Sequence, residues 1–312
     1  MTKHNTTDAT ASSTSEIRAL IAAHKRWDTG FAVLGLACMV FGIAVLFALV
    51  ADMLMTGMPR LDLSFFTEFP SRRAAQAGIL SALVGSLYIM LVTALVAIPV
   101  GVAAGVYLEE YAPKNAFTNF IELNISNLAA VPSIIYGLLG LGLFVYTFGL
   151  GQSILSAGLT LALLILPVII VATREAIRGI PQWVREAAYG CGATRWQVVS
   201  DHIIPYSLPG ILTGVIIGLA RAIGESAPLI VVGAVTFIAS LPPIPGVEGS
   251  LWETLMADFT AMPIQMFNWT SRPEAAFQVN AAAAGIVLIA LTLSMNGAAI
   301  WLRYRLRKAI KW

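Results

Sequence analysis

The chain has 312 residues, of which 58% are hydrophobic and 12% charged, with a mean hydropathy of +0.80. Soluble domains carry about 25% charged residues, so the composition excludes an ordinary soluble fold and implies an integral membrane protein. The net charge of +2 excludes nothing by itself; where the charges sit is more informative.

In chain order, the first fifteen residues are rich in Ser, Thr, Asp and Asn and read as a disordered tail. They do not read as a signal peptide, because a long polar stretch precedes an apolar run that is itself span-length. Glu16 to Asp28 then places Ile17, Leu20, Ile21 and Trp27 at helical spacing beside Lys25 and Arg26. That pattern fits an interfacial helix on the membrane surface or a plain juxtamembrane linker.

A bilayer core takes about 20 apolar residues per helix. Six runs qualify: Phe31–Ala51, Ile79–Val106, Leu128–Phe148, Ile154–Ala172, Gly210–Phe237 and Ala281–Trp301. The second and fifth are longer than needed and should tilt or project. Pro99, Pro132, Pro167 and Pro228 interrupt them, and such breaks need neighbouring helices or water to satisfy the freed carbonyls. A bundle with an internal path is therefore expected. Trp252, Phe267 and Trp269 are expected at the membrane interface.

Six spans put both termini on one side. That side would hold Lys3, Arg18, Lys25, Arg26, Lys114, Arg174, Arg178, Arg185, Arg195, Arg303, Arg305, Arg307, Lys308 and Lys311. The other would hold Arg60, Arg72, Arg73 and Arg272. The positive-inside rule makes the first side cytoplasmic. Two larger loops, Asp52 to about Gln76 and Ile238 to Gln278, would face outward.

Between spans four and five, Glu186 to Pro205 is short, amphipathic and Arg-bearing. Ala187, Ala188, Gly190 and Gly192 would let a partner approach the backbone. Thr194 with Gln197 reads as a capping box opening a second short helix, which Pro205 should stop. Glu186 reads as a solvated charge, a local ion pair with Arg178, Arg185 or Arg195, or one part of a docking surface formed by the whole loop.

Arg221 and Glu225 lie inside span five at i, i+4 spacing, so they share a helix face and offset each other's insertion cost of roughly 2.5–3.5 kcal/mol. The pair reads either as a packing device or as a polar station where Arg221 meets an anion. Arg174 and Arg178 complement the end of span four, or draw an anion into its mouth. Asn127, Ser133 and Tyr136 surround Pro132 as path-lining or interhelical hydrogen-bonding groups.

No Gly-rich loop ending in Gly-Lys-Ser/Thr is present, so P-loop nucleotide binding is excluded for this chain. His4, His24 and His202 lack metal-ligand spacing, and Cys38 and Cys191 form no disulfide pattern. The spans contain no histidine, against an intramembrane enzyme, and few ionisable groups beyond Arg221 and Glu225, against ion-coupled transport. The absence of an evident internal repeat also disfavours an inverted-repeat secondary transporter.

With these motifs in hand, the chain resembles the phosphate ABC transporter permeases of the PstA type, within the binding-protein-dependent importer permeases. The resemblance rests on Ala130–Gly140 (AVPSIIYGLLG), the Glu186–Pro205 loop, Arg221–Pro228 (RAIGESAP) and Phe259–Pro273 (FTAMPIQMFNWTSRP). The segment His202-Ile203-Ile204-Pro205 departs from the general Ile-x-Leu-Pro ending of the loop.

The resemblance implies an all-α membrane protein of type I ABC importer permease fold, with six transmembrane helices, an N-terminal interfacial helix and a cytoplasmic coupling loop. Residues 1–29 would form the tail and interfacial helix, 30–302 the permease domain with coupling loop 174–206, and 303–312 a basic tail. It further implies a non-enzymatic subunit of the bacterial inner membrane, paired with a sister permease, an ABC ATPase dimer and an external phosphate-binding protein. Nucleic acid is not an implied partner. The chain would bind no cofactor, with ATP held by the partner ATPase. Glu186, Ala187, Ala188, Gly192 and Pro205 would serve coupling, and Arg221, Glu225, Arg174 and Arg178 the substrate path. Molybdate or sulfate would be the alternative cargo.

Overall fold

The computed structural model describes residues 6–244, 246–247 and 249–309, with side chains from His24 to Arg305 apart from Arg26. It is helical throughout apart from its connecting loops. Helix α1 runs unbroken from Thr6 to Gly57, so the expected interfacial segment and first span share one helix that starts inside the expected tail. The Ile17, Leu20 and Ile21 face lies outside the described side chains. Residues up to Met55 form a unit of their own.

The second unit begins at Thr56 and passes through a 3-10 turn, Met58–Arg60, into the short α2 (Leu63–Thr67), capped by Asp62, whose carboxylate accepts the Phe65 N–H at 3.0 Å. Helix α3 (Leu80–Val106) continues into a π turn, Tyr107–Tyr111. Helices α4 (Ala116–Leu128) and α5 (Ser133–Gly140) follow, the latter extended by a π segment, Leu141–Thr147. Helix α6 (Ile154–Arg178) returns across the bundle.

Beyond it lie α7 (Gln182–Gly190), α8 (Arg195–Gln197), a π turn at Val198–Ile203, α9 (Ile204–Ile223) and α10 (Ala227–Val232). The chain closes with α11 (Leu251–Leu255), α12 (Met262–Thr270) and α13 (Ala275–Ala309). Among the described residues, five helices are long and apolar enough to span a membrane, and the α4–α5 pair, bent by 105°, is a broken span or a re-entrant segment.

Helix α6 is the axis of the bundle, packed against α3, α5 and α9. Small residues at four-residue spacing permit this closeness, since without a Cβ two backbones can approach. A Cβ on Gly101 or Gly105 of α3 would stand 2.7 Å from Ile169 or Thr173 of α6, and Gly210 and Gly214 of α9 meet Ala176 and Ala172. The Thr93 hydroxyl is 2.8 Å from the Ile89 carbonyl and 3.1 Å from that of Gly158, which ties α3 to α6. At one end of the bundle Phe65, Trp269 and Phe277 fill a second core between the loop after α1, α12 and α13.

Four expectations are corrected. The third span does not run from Leu128 to Phe148; α4 and α5 meet at 105° across Ala129–Pro132, because a residue before proline avoids helical backbone. Pro205 does not stop the helix. It sits in the first turn of α9, where its missing N–H is tolerated, and the π turn leads straight into that helix. Span five does not reach Phe237 unbroken: it parts at Gly224–Ser226 and ends at Gly233, whose φ of +109° closes α10. Trp269 is fully buried against Phe65 rather than at an interface, while Trp252 and Phe267 are exposed.

Candidate functional site

Gly179 and Pro181 turn the chain from α6 into α7, which is amphipathic. Val184, Arg185 and Ala188 face the protein; Trp183, Glu186, Ala187 and Gly190 are exposed at i, i+3, i+4 and i+7, one helical face. Val184, Ala188 and Ala193 pack on a small core of Val106, Ile177, Ile180, Val198, Val199 and Ile203. The small residues thus divide by helical period: Ala187 presents the outer face, and Ala188 serves the protein's own core. Pro205 is half-buried beyond the segment.

Helix α7 closes in a Schellman motif, with Ala193 N–H donating to Ala188 O at 3.1 Å and Gly192 N–H to Tyr189 O at 2.9 Å. Gly192 has a φ of +83°, which L side chains avoid, and open space where a Cβ would stand. The capping box forms as expected: Thr194 N–H donates to Gln197 Oε1 at 2.8 Å, and Gln197 N–H to Thr194 Oγ1 at 3.4 Å. Trp183 and Trp196 are each 67% exposed and Tyr189 is exposed beside them. These aromatics leave an exposed apolar patch beside the short amphipathic helix.

Among the described residues Glu186 forms no ion pair, because the arginines near it in sequence are engaged elsewhere. Arg185 pairs with Glu110 at 2.7 Å, Arg178 with Glu109 at 3.0 Å and Glu175 at 3.3 Å, and Arg195 lies over the Tyr111 ring. Arg174 is buried and pairs with Glu122 of α4 at 2.7 Å and Glu109 at 3.5 Å. Arg174, Arg178, Glu122 and Glu175 line a cavity of about 410 Å³ with Asn119 and Ser126. The two arginines pair with three carboxylates (Glu109, Glu122 and Glu175), a local net charge of −1, while Nε and Nη2 of Arg174 are buried without a hydrogen bond.

At the other candidate site, Arg221 Nε lies 3.4 Å from Glu225 Oε1 across the end of α9, with 39% and 19% of the two side chains exposed. The pair therefore brackets the break at Gly224 rather than lying on a continuous helix. Arg221 is within electrostatic reach of Tyr136 on α5, and Gly137 of α5 abuts Pro228 of α10. Tyr136 itself donates to the Leu128 carbonyl at 2.8 Å, bracing the α4–α5 bend. A broken helix flanked by charges, packed on a second bent segment, is how membrane proteins place polar groups along a path.

Residues 97–309 match the family described as the binding-protein-dependent transport system inner membrane component. The chain belongs to this family. Its relatives include the phosphate transport system permease protein PstA of Yersinia pestis, 31% identical over 265 residues and 83% of each chain. The probable ABC transporter permease protein YqgI of Bacillus subtilis (strain 168) is 38% identical over 199 residues, 64% of this chain and 68% of the relative. Among solved structures, a bacterial alginate ABC transporter in complex with its alginate pentasaccharide-bound periplasmic protein aligns with a TM-score of 0.62 at 15% identity, covering 88% of this chain and 93% of that one. The inward-facing MetNI methionine transporter aligns at 0.55 and 18% identity, covering 71% and 93%. The chain is thus an integral inner-membrane permease of an ABC importer, with the type I permease fold.

Sequence reasoning found the arginines of this permease but missed Glu109, Glu110 and Glu122. The only local signal was an acidic pair directly after an apolar span, on the side where basic residues are expected. It also passed over Trp183, Tyr189 and Trp196, whose exposure depends on which face of the segment packs inward.

Proposed function

We propose that this permease is one of two transmembrane subunits of an ATP-driven inorganic phosphate importer. The observation that carries this reading is its alignment with PstA-type phosphate permeases across 83% of both chains. The exposed α7 face around Trp183, Glu186 and Ala187 docks a cytoplasmic ATPase, which supplies the nucleotide site that this sequence lacks. By the positive-inside rule the basic residues of the sequence put this face and both termini on the cytoplasmic side. An external phosphate-binding protein delivers cargo to the opposite end.

ATP-driven movement at α7 shifts a two-state bundle between inward- and outward-open forms. Phosphate then passes the broken helix at Gly224, where Arg221 supplies a cation. Arg174 and Arg178 are assigned to holding α4, α6 and the turn after α3 together, because three carboxylates already face them.

The test is growth at limiting phosphate of a bacterial strain lacking its own PstA-type subunit, after expressing this chain with its sister permease, ATPase and binding protein. Restored phosphate uptake is the expected result. Restored molybdate or sulfate uptake without phosphate uptake would overturn the substrate assignment and leave the permease assignment standing.

A further inference from the structure

The linker between α6 and α7, Gly179-Ile180-Pro181, is a natural hinge. Gly179 and Pro181 end one helix and start the next, and no continuous helical ladder crosses them. A force on α7 would be absorbed there unless something else joins α7 to the bundle. Val184 and Ala188 supply an apolar contact to the bundle, and Arg185 adds the polar, directional join. Its Nη2 and Nε donate to Glu110 Oε1 at 2.7 and 3.0 Å, its Nη1 to the Ile180 carbonyl at 2.9 Å, and its Nη2 also to the Ile177 carbonyl at 3.1 Å.

One guanidinium thereby holds the end of α6, the linker and the π turn at the end of α3. The Glu110 side chain is only 7% exposed and that of Arg185 19%, so water screens this pair far less than a surface pair. The neighbouring Glu109 points to the other partner set, Arg174 and Arg178 of α6. The π turn that presents both glutamates is of a kind common at functional sites in helices.

We propose that Glu110 is a positioning residue for energy coupling. Through Arg185 it bypasses the Gly179–Pro181 hinge, so that displacement of α7 moves the ends of α3 and α6 as one body. This rests on the reading of α7 as the ATPase-docking helix, and adds a residue that touches neither ATPase nor cargo.

The experiment uses the complete transporter, with both permeases, ATPase and binding protein, reconstituted in liposomes. Glu110→Gln keeps an acceptor but removes the charge; Arg185→Lys keeps the charge but loses the fork. Both variants should retain ATPase association and basal ATP hydrolysis, while phosphate transported per ATP falls roughly tenfold, within the usual range of coupling energies. In a Glu110→Cys/Arg185→Cys variant lacking Cys38 and Cys191, a short thiol cross-linker should restore transport per ATP, because a tether replaces the join without the charges. Wild-type transport per ATP in Glu110→Gln, or no recovery on cross-linking, would overturn the proposal. Loss of ATPase association in Glu110→Gln would also overturn it, by placing Glu110 in the docking surface. Failure of the docking reading is distinguishable: wild-type ATPase association would then be insensitive to Glu186→Lys.

Discussion

Replacing Arg221 by Ala removes the cation at the broken helix and leaves Glu225 without its partner. At the observed 3.4 Å separation, Coulomb's law gives about 5 kcal/mol at an effective dielectric of 20 and about 1.2 kcal/mol in bulk water. Arg221 is 39% exposed, which places the pair toward the weaker end, at about 2 kcal/mol or thirtyfold in an equilibrium constant. The assay is initial-rate uptake of labelled phosphate at matched membrane abundance, for Arg221→Ala, Glu225→Ala and the double variant. If Arg221 meets the anion, Arg221→Ala lowers uptake at least thirtyfold and the double variant stays equally defective while still binding the ATPase. If the pair only fixes packing, removing both charges restores most of the uptake, since no carboxylate is left uncompensated. Full uptake in the double variant would refute the assignment of Arg221 to the phosphate path.

Gly192→Ala should strain the reversal after α7 by about 1–2 kcal/mol, lowering ATPase association with little change in membrane abundance, as co-purification would show; unchanged association would count against the Schellman geometry. Trp183→Ala and Glu186→Lys, on the exposed face, should weaken ATPase co-purification, whereas Val184→Ala should mainly lower thermal stability. In a variant lacking Cys38, the exposed Cys191 should resist an impermeant external thiol reagent in intact cells, and a cysteine replacing Gly249 should label; the reverse pattern would invert the topology. Burial raises the Asp62 carboxyl pKa, but the Phe65 N–H, the Ser64 hydroxyl and Arg60 outweigh it and hold the group below its ordinary 3.8. The cap therefore stabilises the folded state above that ordinary value and the contribution fades as pH falls through the lowered one, so Asp62→Asn should flatten the acid limb of a thermal-stability profile.

What could be read from sequence follows from the range of the interactions. The Thr194–Gln197 capping box and the Arg221–Glu225 pair depend on residues three and four apart, and both form. Five of the six apolar runs appear as span-length helices, and the sixth is the bent α4–α5 pair, because burial in a bilayer is a property of each segment. Their ends are less legible: Pro132 opens a helix rather than kinking one, and Pro205 does not stop a helix, because it sits in the first turn of α9 where its missing N–H is tolerated. The clamp at Arg185 was invisible because Glu110 lies 75 residues away, and nothing local to either residue names the other. Trp269 looked interfacial by type, but Phe65 and Phe277, distant in sequence, enclose it.

The central claim is tested most directly by ATP-driven uptake in proteoliposomes containing this permease, its sister, the ATPase and the external binding protein. With ATP on the ATPase side and phosphate-loaded binding protein on the other, labelled phosphate should accumulate on the ATPase side, and omission of ATP or of this chain should abolish it. Undiminished phosphate accumulation without this chain, or ATP-dependent accumulation of sulfate or molybdate with phosphate excluded, would contradict the account.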